Sequence, residues 1–517
     1  MTIPVLSPVQ SADWDRRAEA TGIALATLME GAGRAAAEVI AGRYADRLAG
    51  GVLIAAGPGN NGGDGWVIAR VLHRLDVPVF VAAVGGEGSA LNCQMAAIAR
   101  SEGVRSVEPD GPWPTVTLAI DSLLGTGAHG ALRPPVQALV DRLNDLALPL
   151  IAIDGPTGVD LATGVTHGAS VQAQLSITFG GLRRGHLLAR DECGDIVVVD
   201  IGHPSGDPMW PVLLTDRDAA EAQGRFDSKE YKGTRGRVVV VGGDDGMSGA
   251  LRLAARAAFG AGAGLVHAVA PGKTIDLLVG AEPDLQTLRH DFTLPLSPEL
   301  EALLGRADAV VIGPGLGRSP GRDQFVLGVA RQSRAVVLDA DALHALAAQR
   351  PALQTLAVDR SIVLTPHQGE FRRLFPECAD DLELDPWAAA QSAAELAGCA
   401  VLLKGVPTVV AGRDGSLVTV AAGNPGLATG GSGDILSGLV ATSLVQLEHP
   451  VIAAAVAAHA LGRAADLAAR RLTARGMRPM DVIAALPDLW RTWETLRRVR
   501  PAPRPPVLLE LEAPQRW

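Results

Sequence analysis

Lysine is scarce in this chain. Only Lys229, Lys232, Lys273 and Lys404 occur, while arginine is abundant. A general preference for Arg over Lys accounts for the scarcity, yet it makes each retained lysine stand out. Cysteine is scarce too, with Cys93, Cys193, Cys378 and Cys399 scattered and no CxxC spacing. That pattern excludes a paired-thiolate metal site and fits a reduced cytosolic protein. Aromatic residues make up only 3%, so Val, Leu, Ile and Ala must fill the cores. No uninterrupted apolar run reaches the ~18 residues of a membrane span. The opening MTIPVLSPVQSADWD has no charged n-region followed by an apolar h-region. We therefore expect a cytoplasmic protein with no membrane partner. Excess positive charge is also missing, the net charge being −10. An acidic surface repels phosphate backbones, and no basic stripe interleaved with aromatics is visible, so no nucleic-acid partner is expected.

What is present is apolar material in quantity, 48% of 517 residues. At roughly 100–200 residues per domain, two large domains are expected. Short β-branched runs alternate with Ala-rich helical stretches. They include GVLIAAG (Gly51–Gly57), VTLAIDSLLG (Val116–Gly125), LPLIAIDGPTG (Leu148–Gly158), GRVVVVGG (Gly236–Gly243), ADAVVIGPG (Ala307–Gly315), AVVLDAD (Ala335–Asp341), SIVLTPH (Ser361–His367) and AVLLKG (Ala400–Gly405). Such alternation predicts an α/β chain of parallel sheets with crossover helices. Many runs end in Gly, Asp or His, where ligand sites of open α/β sheets lie. The breaker-rich HPSGDPMWP separates two α/β stretches. We place domains at 1–215 and 225–495, and expect the Pro-rich tail 496–517 to fray.

In the second half, NPGLATGGSGD (Asn424–Asp434) precedes a helical run, ILSGLVATSLV. Glycines let backbone N–H groups converge on phosphate, and a helix N-terminus adds positive potential. Asp434 there can deprotonate a hydroxyl attacking a phosphoryl group, or simply cap the helix. KGVPT (Lys404–Thr408) follows a strand; Lys404 and Thr408 can contact phosphate, or form a hairpin turn with a surface lysine. TPHQGEF (Thr365–Phe371) puts His367 and Glu370 near a strand end. GPGLG (Gly313–Gly317) is a second close-approach loop. In LDADAL (Leu338–Leu343), Asp339 or Asp341 could orient water or Mg²⁺, or serve as an N-cap.

In this order, residues 232–440 resemble the ribokinase-like superfamily, and most closely the ADP/ATP-dependent NAD(P)H-hydrate dehydratases. The resemblance implies phosphorylation of the C6 hydroxyl of a hydrated nicotinamide, followed by loss of phosphate. It implies Asp434 as base. It also implies Gly433 at the AMP phosphate, and Lys404, Gly405, Val406, Pro407 and Thr408 lining the nucleotide site. Ala250, Gly317, His367 and Asp434 would meet the hydrate. Mg²⁺ would accompany ADP, the nucleotide that the fused bacterial form implies. A net kinase of the same superfamily, with a merely binding N-terminal domain, is the alternative.

In the first half, GPGNNGGDGWVIAR (Gly57–Arg70) reads as a strand end, a Gly/Asn loop and a helix, so a phosphate could sit at the helix N-terminus. DSLLGTGAHGALRPP (Asp121–Pro135) and IDGPTGVDLATG (Ile153–Gly164) are two more strand-end clusters. Asp121 and Asp154 could converge there with Asn61, or cap turns. With MEGAGRAAAEVI (Met29–Ile40) and SITFGGLRRGHLL (Ser176–Leu188), residues 8–205 resemble the NAD(P)H-hydrate epimerase domain, a Rossmann-like fold. The resemblance implies that Asn60, Asn61, Gly62, Gly63 and Asp64 bind the hydrate together with Gly125, Thr126, Gly127, Ala128, His129, Gly130 and Ala131. It implies Asp154 as substrate contact and acid/base, and a K⁺ ion held by Asn61, Asp121 and Thr157. Two positions depart from the family pattern. Thr157 stands where Ser is usual, and Arg183–Arg184 where a Lys is usual; Arg keeps the charge with a different geometry. Both halves together resemble the bifunctional NAD(P)H-hydrate repair enzymes, whose partners are the hydrate and ADP/AMP. A homo-oligomer is expected.

Overall fold

Valine-rich runs too short for helices and bounded by glycine fold as buried strands throughout the chain. The computed structural model describes residues 2–86, 88–380, 382–499 and 506–514. The chain divides into two units: one is Met1–Trp210 with Ala502–Pro514, the other begins at Pro211 and runs to Pro501.

The first unit contains β1 (Ile3–Leu6), β2 (Val52–Ala56), β3 (Val79–Ala83), β4 (Arg105–Val107), β5 (Leu118–Ser122), β6 (Leu150–Ile153), β7 (Leu175–Phe179), β8 (Leu182–Arg183) and β9 (Asp195–Val199). Seven of these lie side by side in the order β9-β7-β6-β5-β2-β3-β4, all parallel. From β2 the chain winds outward through β3 and β4, then returns to β5 on the other side. The strand order thus reverses between β2 and β5, paired Ala56 to Ser122 at their carboxyl ends. A crevice at such a reversal is the usual ligand position of an open α/β sheet. Asn61 and its loop emerge from β2, and Asp121 ends β5.

The second unit contains β10 (Val212–Leu213), β11 (Arg237–Val241), β12 (Leu265–Ala270), β13 (Gln286–Arg289), β14 (Ala309–Ile312), β15 (Ala335–Leu338), β16 (Ser361–Leu364), β17 (Ala400–Leu403), β18 (Thr408–Ala411) and β19 (Leu417–Val420). They run in the order β13-β12-β11-β14-β15-β16-β17-β18-β19-β10. Here the order reverses between β11 and β14, and the loops after both are stitched together: Gly243 N–H donates to Pro314 O at 2.9 Å. The β17–β18 and β18–β19 pairs are antiparallel, a meander at one side of an otherwise parallel run. Val238, Val239, Val240 and Val241 have no exposed surface, and each such burial contributes about 1.5–3 kcal/mol. Alanine dominates the helix Pro450–Gly476, letting it pack closely. Among the described residues it is the one helix long and apolar enough to cross a membrane, and 78% of its apolar window is buried within the protein.

The tail departs from expectation. Residues 496–498 finish the helix Pro479–Arg498, and Val507–Leu511 form β20, antiparallel to β9. The β20 register and the hydrogen bond from Ala513 N to Asp195 Oδ1 at 2.8 Å replace the expected fraying. The physical reason is that VLLEL pairs with the unpaired edge of β9, which satisfies backbone groups that a frayed tail would leave to water. The remainder of the expected frayed tail, 500–505 and 515–517, lies outside the described residues.

Candidate active sites

In the second unit the helix Ser432–Gln446 starts after Gly431, whose φ of +101° suits only glycine without strain. No side chain caps this helix, so Asp434 is not its cap. Asp434 sits in the first turn, half-buried. Burial first, then repulsion from Asp339 and Asp341, pushes its carboxyl up to about 7 against the pull of Lys404.

Lys404 closes the hairpin between β17 and β18, as the turn alternative has it, but it is not a surface lysine. Its Nζ lies 2.9 Å from Asp339 Oδ1 and 3.7 Å from Glu370 Oε2. Burial depresses the ammonium, and Asp339 and Glu370 outweigh it, so the charged form is favoured. Asp339 follows β15 directly, is almost fully buried, and also accepts from Ser437 Oγ at 2.6 Å. Burial raises that carboxyl, but Lys404 and Ser437 bring it below the usual range. A Cβ on Gly433 would lie 3.6 Å from Lys404 Nζ and 3.8 Å from Asp339 Oδ2. The phosphate-type loop therefore runs directly over the ion pair. Thr408 Oγ1 donates to Gly405 O at 3.1 Å, Val406 is 81% exposed at the turn, and the Val406–Pro407 bond is cis.

His367 N-caps the helix Gln368–Leu374: Gly369 N–H donates to its Nδ1 at 3.0 Å, and its own N–H donates to Glu370 Oε2 at 2.9 Å. Its ring stays 60% exposed, with Nε2 lying 3.5 Å from Glu370 Oε1. Asp341 caps nothing either. Its Oδ2 accepts from Gly317 N at 3.0 Å and its Oδ1 from Arg318 Nε at 2.7 Å. Ala250 belongs to the same corner, 3.4 Å from where a Cβ on Gly315 would sit. Sequence reading missed Asp244, Arg322 and Ser437. Asp244 Oδ2 accepts from the buried Arg322 at 2.7 Å and faces Gly317. The GGDDG turn signalled Asp244; nothing local signalled Arg322.

In the first unit three loops meet. A Cβ on Gly125 would lie 2.9 Å from Asp154 Oδ2 and 3.3 Å from the Asn61 side chain, so only glycine fits there. Asn61 is buried, and neither polar atom of its carboxamide has a hydrogen-bond partner. Asp121 is fully buried; Thr157 donates to it through N and Oγ1, each at 2.8 Å, and Leu123 N through 3.1 Å. Burial still pushes Asp121 up to about 6. Asp121 is thus a turn former as well as a member of the cluster.

Asp154 has a left-handed backbone, φ +66°, unusual for a non-glycine residue. Its Oδ2 accepts from Thr126 N at 2.7 Å and from Thr126 Oγ1, while Arg183 Nη2 lies 3.5 Å from Oδ1. Burial raises this carboxyl, but Arg183 and the Thr126 donors outweigh it, leaving it below the usual range. The arginine standing in the lysine position is therefore engaged with Asp154. Asp64 is driven well above the usual carboxylate range by burial and by Asp154. Asn60 faces Ser89, accepting from its Oγ at 2.6 Å. Gly62 and Gly63 serve close packing of their helix, while Gly127, Ala128, His129, Gly130 and Ala131 form an open loop. His186, buried between Asp154 and Arg183, went unread although its motif was noted. Among the described residues no group of three His, Cys, Asp or Glu could hold a metal ion.

Comparison with known proteins finds both halves. A family model described as NAD(P)H-hydrate dehydratase matches residues 238–488, and one described as YjeF-related protein N-terminus matches residues 25–185. The chain is 35% identical to the bifunctional NAD(P)H-hydrate repair enzyme Nnr of Escherichia coli (strain K12) over 479 residues, covering 91% of this chain and 90% of that one. It is 32% identical to the enzyme of the same name from Coxiella burnetii over 494 residues, 92% of this chain and 97% of that one. Among solved structures it is similar to the ADP/ATP-dependent NAD(P)H-hydrate dehydratase from Bacillus subtilis co-crystallised with ATP/Mg²⁺. That match is 27% identical with a TM-score of 0.47, covering 55% of this chain and 98% of that one.

Proposed function

Because the chain belongs to the family of bifunctional NAD(P)H-hydrate repair enzymes, we propose that Asp434 and Asp154 are the proton-transfer groups of its two activities. The enzyme is an NAD(P)H-hydrate epimerase and dehydratase; which residues act, and with which nucleotide, is our reading.

The observation that carries it is Asp434: a half-buried, uncapping carboxylate in the first turn of a helix, above the Lys404–Asp339 pair, pushed up to about 7. A base near neutrality suits proton abstraction at working pH. Asp434 takes the proton of the C6 hydroxyl as its oxygen attacks the β-phosphorus of ADP. The α–β anhydride bond breaks and AMP leaves. The C6–O bond then breaks, phosphate taking the electron pair while C5 gives up a proton to water, and the ring double bond returns. Backbone N–H groups around Gly433 receive the phosphate. Gly405, Val406, Pro407 and Thr408 border the nucleotide. Lys404, held by two carboxylates, places its charge beneath that phosphate. Ala250, Gly317 and His367 border the hydrate.

Mg²⁺ would be held by the nucleotide's phosphates, beside the Asp339 and Asp341 carboxylates that accept from Lys404, Ser437, Gly317 and Arg318, and would supply positive charge to the transferred phosphoryl group. In the first unit, Asn60–Asp64 and Gly125–Ala131 border the hydrate and Asp154 moves the proton. The unpartnered Asn61 carboxamide, with Asp121 and Thr157, is an oxygen-donor set that suits K⁺. Bound there, the ion supplies positive charge to the crevice.

The test is recovery of NADH absorbance from mixed-epimer NADH hydrate with ADP, ATP or neither. Full recovery with ADP supports both activities and the nucleotide. Recovery of only the S portion means a silent epimerase. A stable phosphorylated product without NADH return overturns the dehydratase reading. A homo-oligomer and a cytoplasmic location remain expectations, tested by light scattering and cell fractionation.

A further inference from the structure

Asp154 must keep an unusual backbone to present its carboxylate, and its two backbone polar groups are both tied down. Its N–H donates to Ile177 O at 2.8 Å. Its carbonyl meets the Nε2 of His186 at 2.6 Å. The same imidazole accepts from Arg183 N–H through Nδ1 at 2.9 Å. That second bond fixes the tautomer: with Nδ1 an acceptor, the ring proton lies on Nε2 and is donated to Asp154 O. His186 has no exposed surface, so this bracket cannot exchange with water. Burial first, with Arg183 and Arg190 adding to it, pushes the imidazole down to about 4, so it stays neutral.

We propose that His186 is a positioning residue of the epimerase, one ring that fixes the backbones of both Asp154 and Arg183 so that their side chains meet. The inference rests on the reading of Asp154 as the proton-transfer group. The two residues lie 29 apart in sequence on different segments, Asp154 after β6 and Arg183 at the end of β8. Nothing else described joins their backbones. Arg183 Nη2 reaches Asp154 Oδ1 at 3.5 Å and Arg183 Nε donates to Thr126 Oγ1 at 3.1 Å, and Thr126 in turn donates to Asp154. A ring that sets the two backbones therefore sets this whole polar cluster. His186 touches no substrate in this scheme; it acts through the residues it holds.

Three variants separate its two bonds. His186→Leu fills the volume with neither bond. His186→Gln has a side-chain N–H₂ long enough to donate to Asp154 O. His186→Asn can accept from Arg183 N–H but does not reach Asp154. Each is assayed as the full chain on two substrates. Pure S hydrate with ADP reports the dehydratase, a control for the second unit, and the calorimetric melt of the first unit controls for its folding. R hydrate with ADP, at dehydratase excess, reports epimerisation after subtraction of the spontaneous rate. The expected result is a loss of about tenfold or more in epimerase kcat for Leu and Asn, KM changing little. Gln recovers most of the rate, and the dehydratase is unchanged in all three. Asp154→Asn is run beside them. If it epimerises at the wild-type rate, the reading of Asp154 falls and the proposal with it. If it is inactive but His186→Leu epimerises normally, the proposal falls alone. Should Leu fail to fold, Gln and Asn decide: equal epimerase rates overturn the proposal, as does a change confined to KM.

Discussion

Asp154, buried, and Asp434, half-buried, both sit in Gly-rich crevices, yet their carboxyls move in opposite directions. Burial raises both. At Asp154, Arg183 and the Thr126 donors overcome it and hold the group below the usual range. At Asp434 the nearest charges include Asp339 and Asp341, and the group rises to about 7. The difference teaches that burial sets the stakes and the sign of the neighbours decides the outcome. The epimerase unit thereby keeps its carboxyl low and clamped in place. The dehydratase unit keeps a carboxyl poised near neutrality.

The comparison can be broken at four places. The largest effect is expected from Asp434→Asn, which removes the base. NADH recovery from S hydrate should fall by about 10²–10⁴-fold while R-to-S conversion continues. An unchanged dehydratase would remove Asp434 from the mechanism. Next is Arg183→Met, which deprives Asp154 of its counter-charge. Epimerisation should fall roughly 10–100-fold with the dehydratase spared, and Arg183→Lys should lie between, keeping charge without the fork.

Asp339→Asn sharpens the contrast on the other side. On the proposal that Asp434 is the base, its ionised form is the active one, so dehydratase activity should rise with pH through about 7 in the wild type. Removing Asp339 removes a repulsion and leaves Lys404 freer to favour the carboxylate; both changes lower the Asp434 pKa. The acid limb of the kcat profile should therefore move to lower pH, with a smaller loss of rate at neutrality. A limb that stays in place would mean Asp339 does not set the Asp434 charge. The smallest effect concerns the edge of the epimerase sheet. Truncation after Pro505 removes β20 and bares β9. Calorimetry should show the first unit melting earlier, by about 1–2 kcal/mol, with both activities near wild type at low temperature.

Much of this was legible beforehand. The eight quoted apolar runs each contain a strand of the observed sheets, because a short β-branched run bounded by glycine has few other ways to bury itself. The loops around Asn61, Asp121, Asp154, Gly317 and Asp434 were legible because glycine and aspartate at strand ends carry local backbone signals. The strand VLLEL was not legible: the prolines before it dominate the composition, and its partner β9 lies some three hundred residues earlier. Lys404 read as a choice between phosphate contact and a surface turn. It proved to be a turn residue with an internal partner, since Asp339 is 65 residues away.

By itself, then, the sequence determined the α/β alternation, the two Gly-rich crevices and the chemistry-bearing residues at their rims. These follow from side-chain period and turn preference, which act over a few residues. Only the tertiary structure decided which way each aspartate's carboxyl is shifted. The charge state of Asp434 depends on Asp339 and Lys404, and that of Asp154 on Arg183 and Thr126, all brought in by other segments. Coulomb forces and desolvation act through space, so their result is known only once the strands have set those segments side by side.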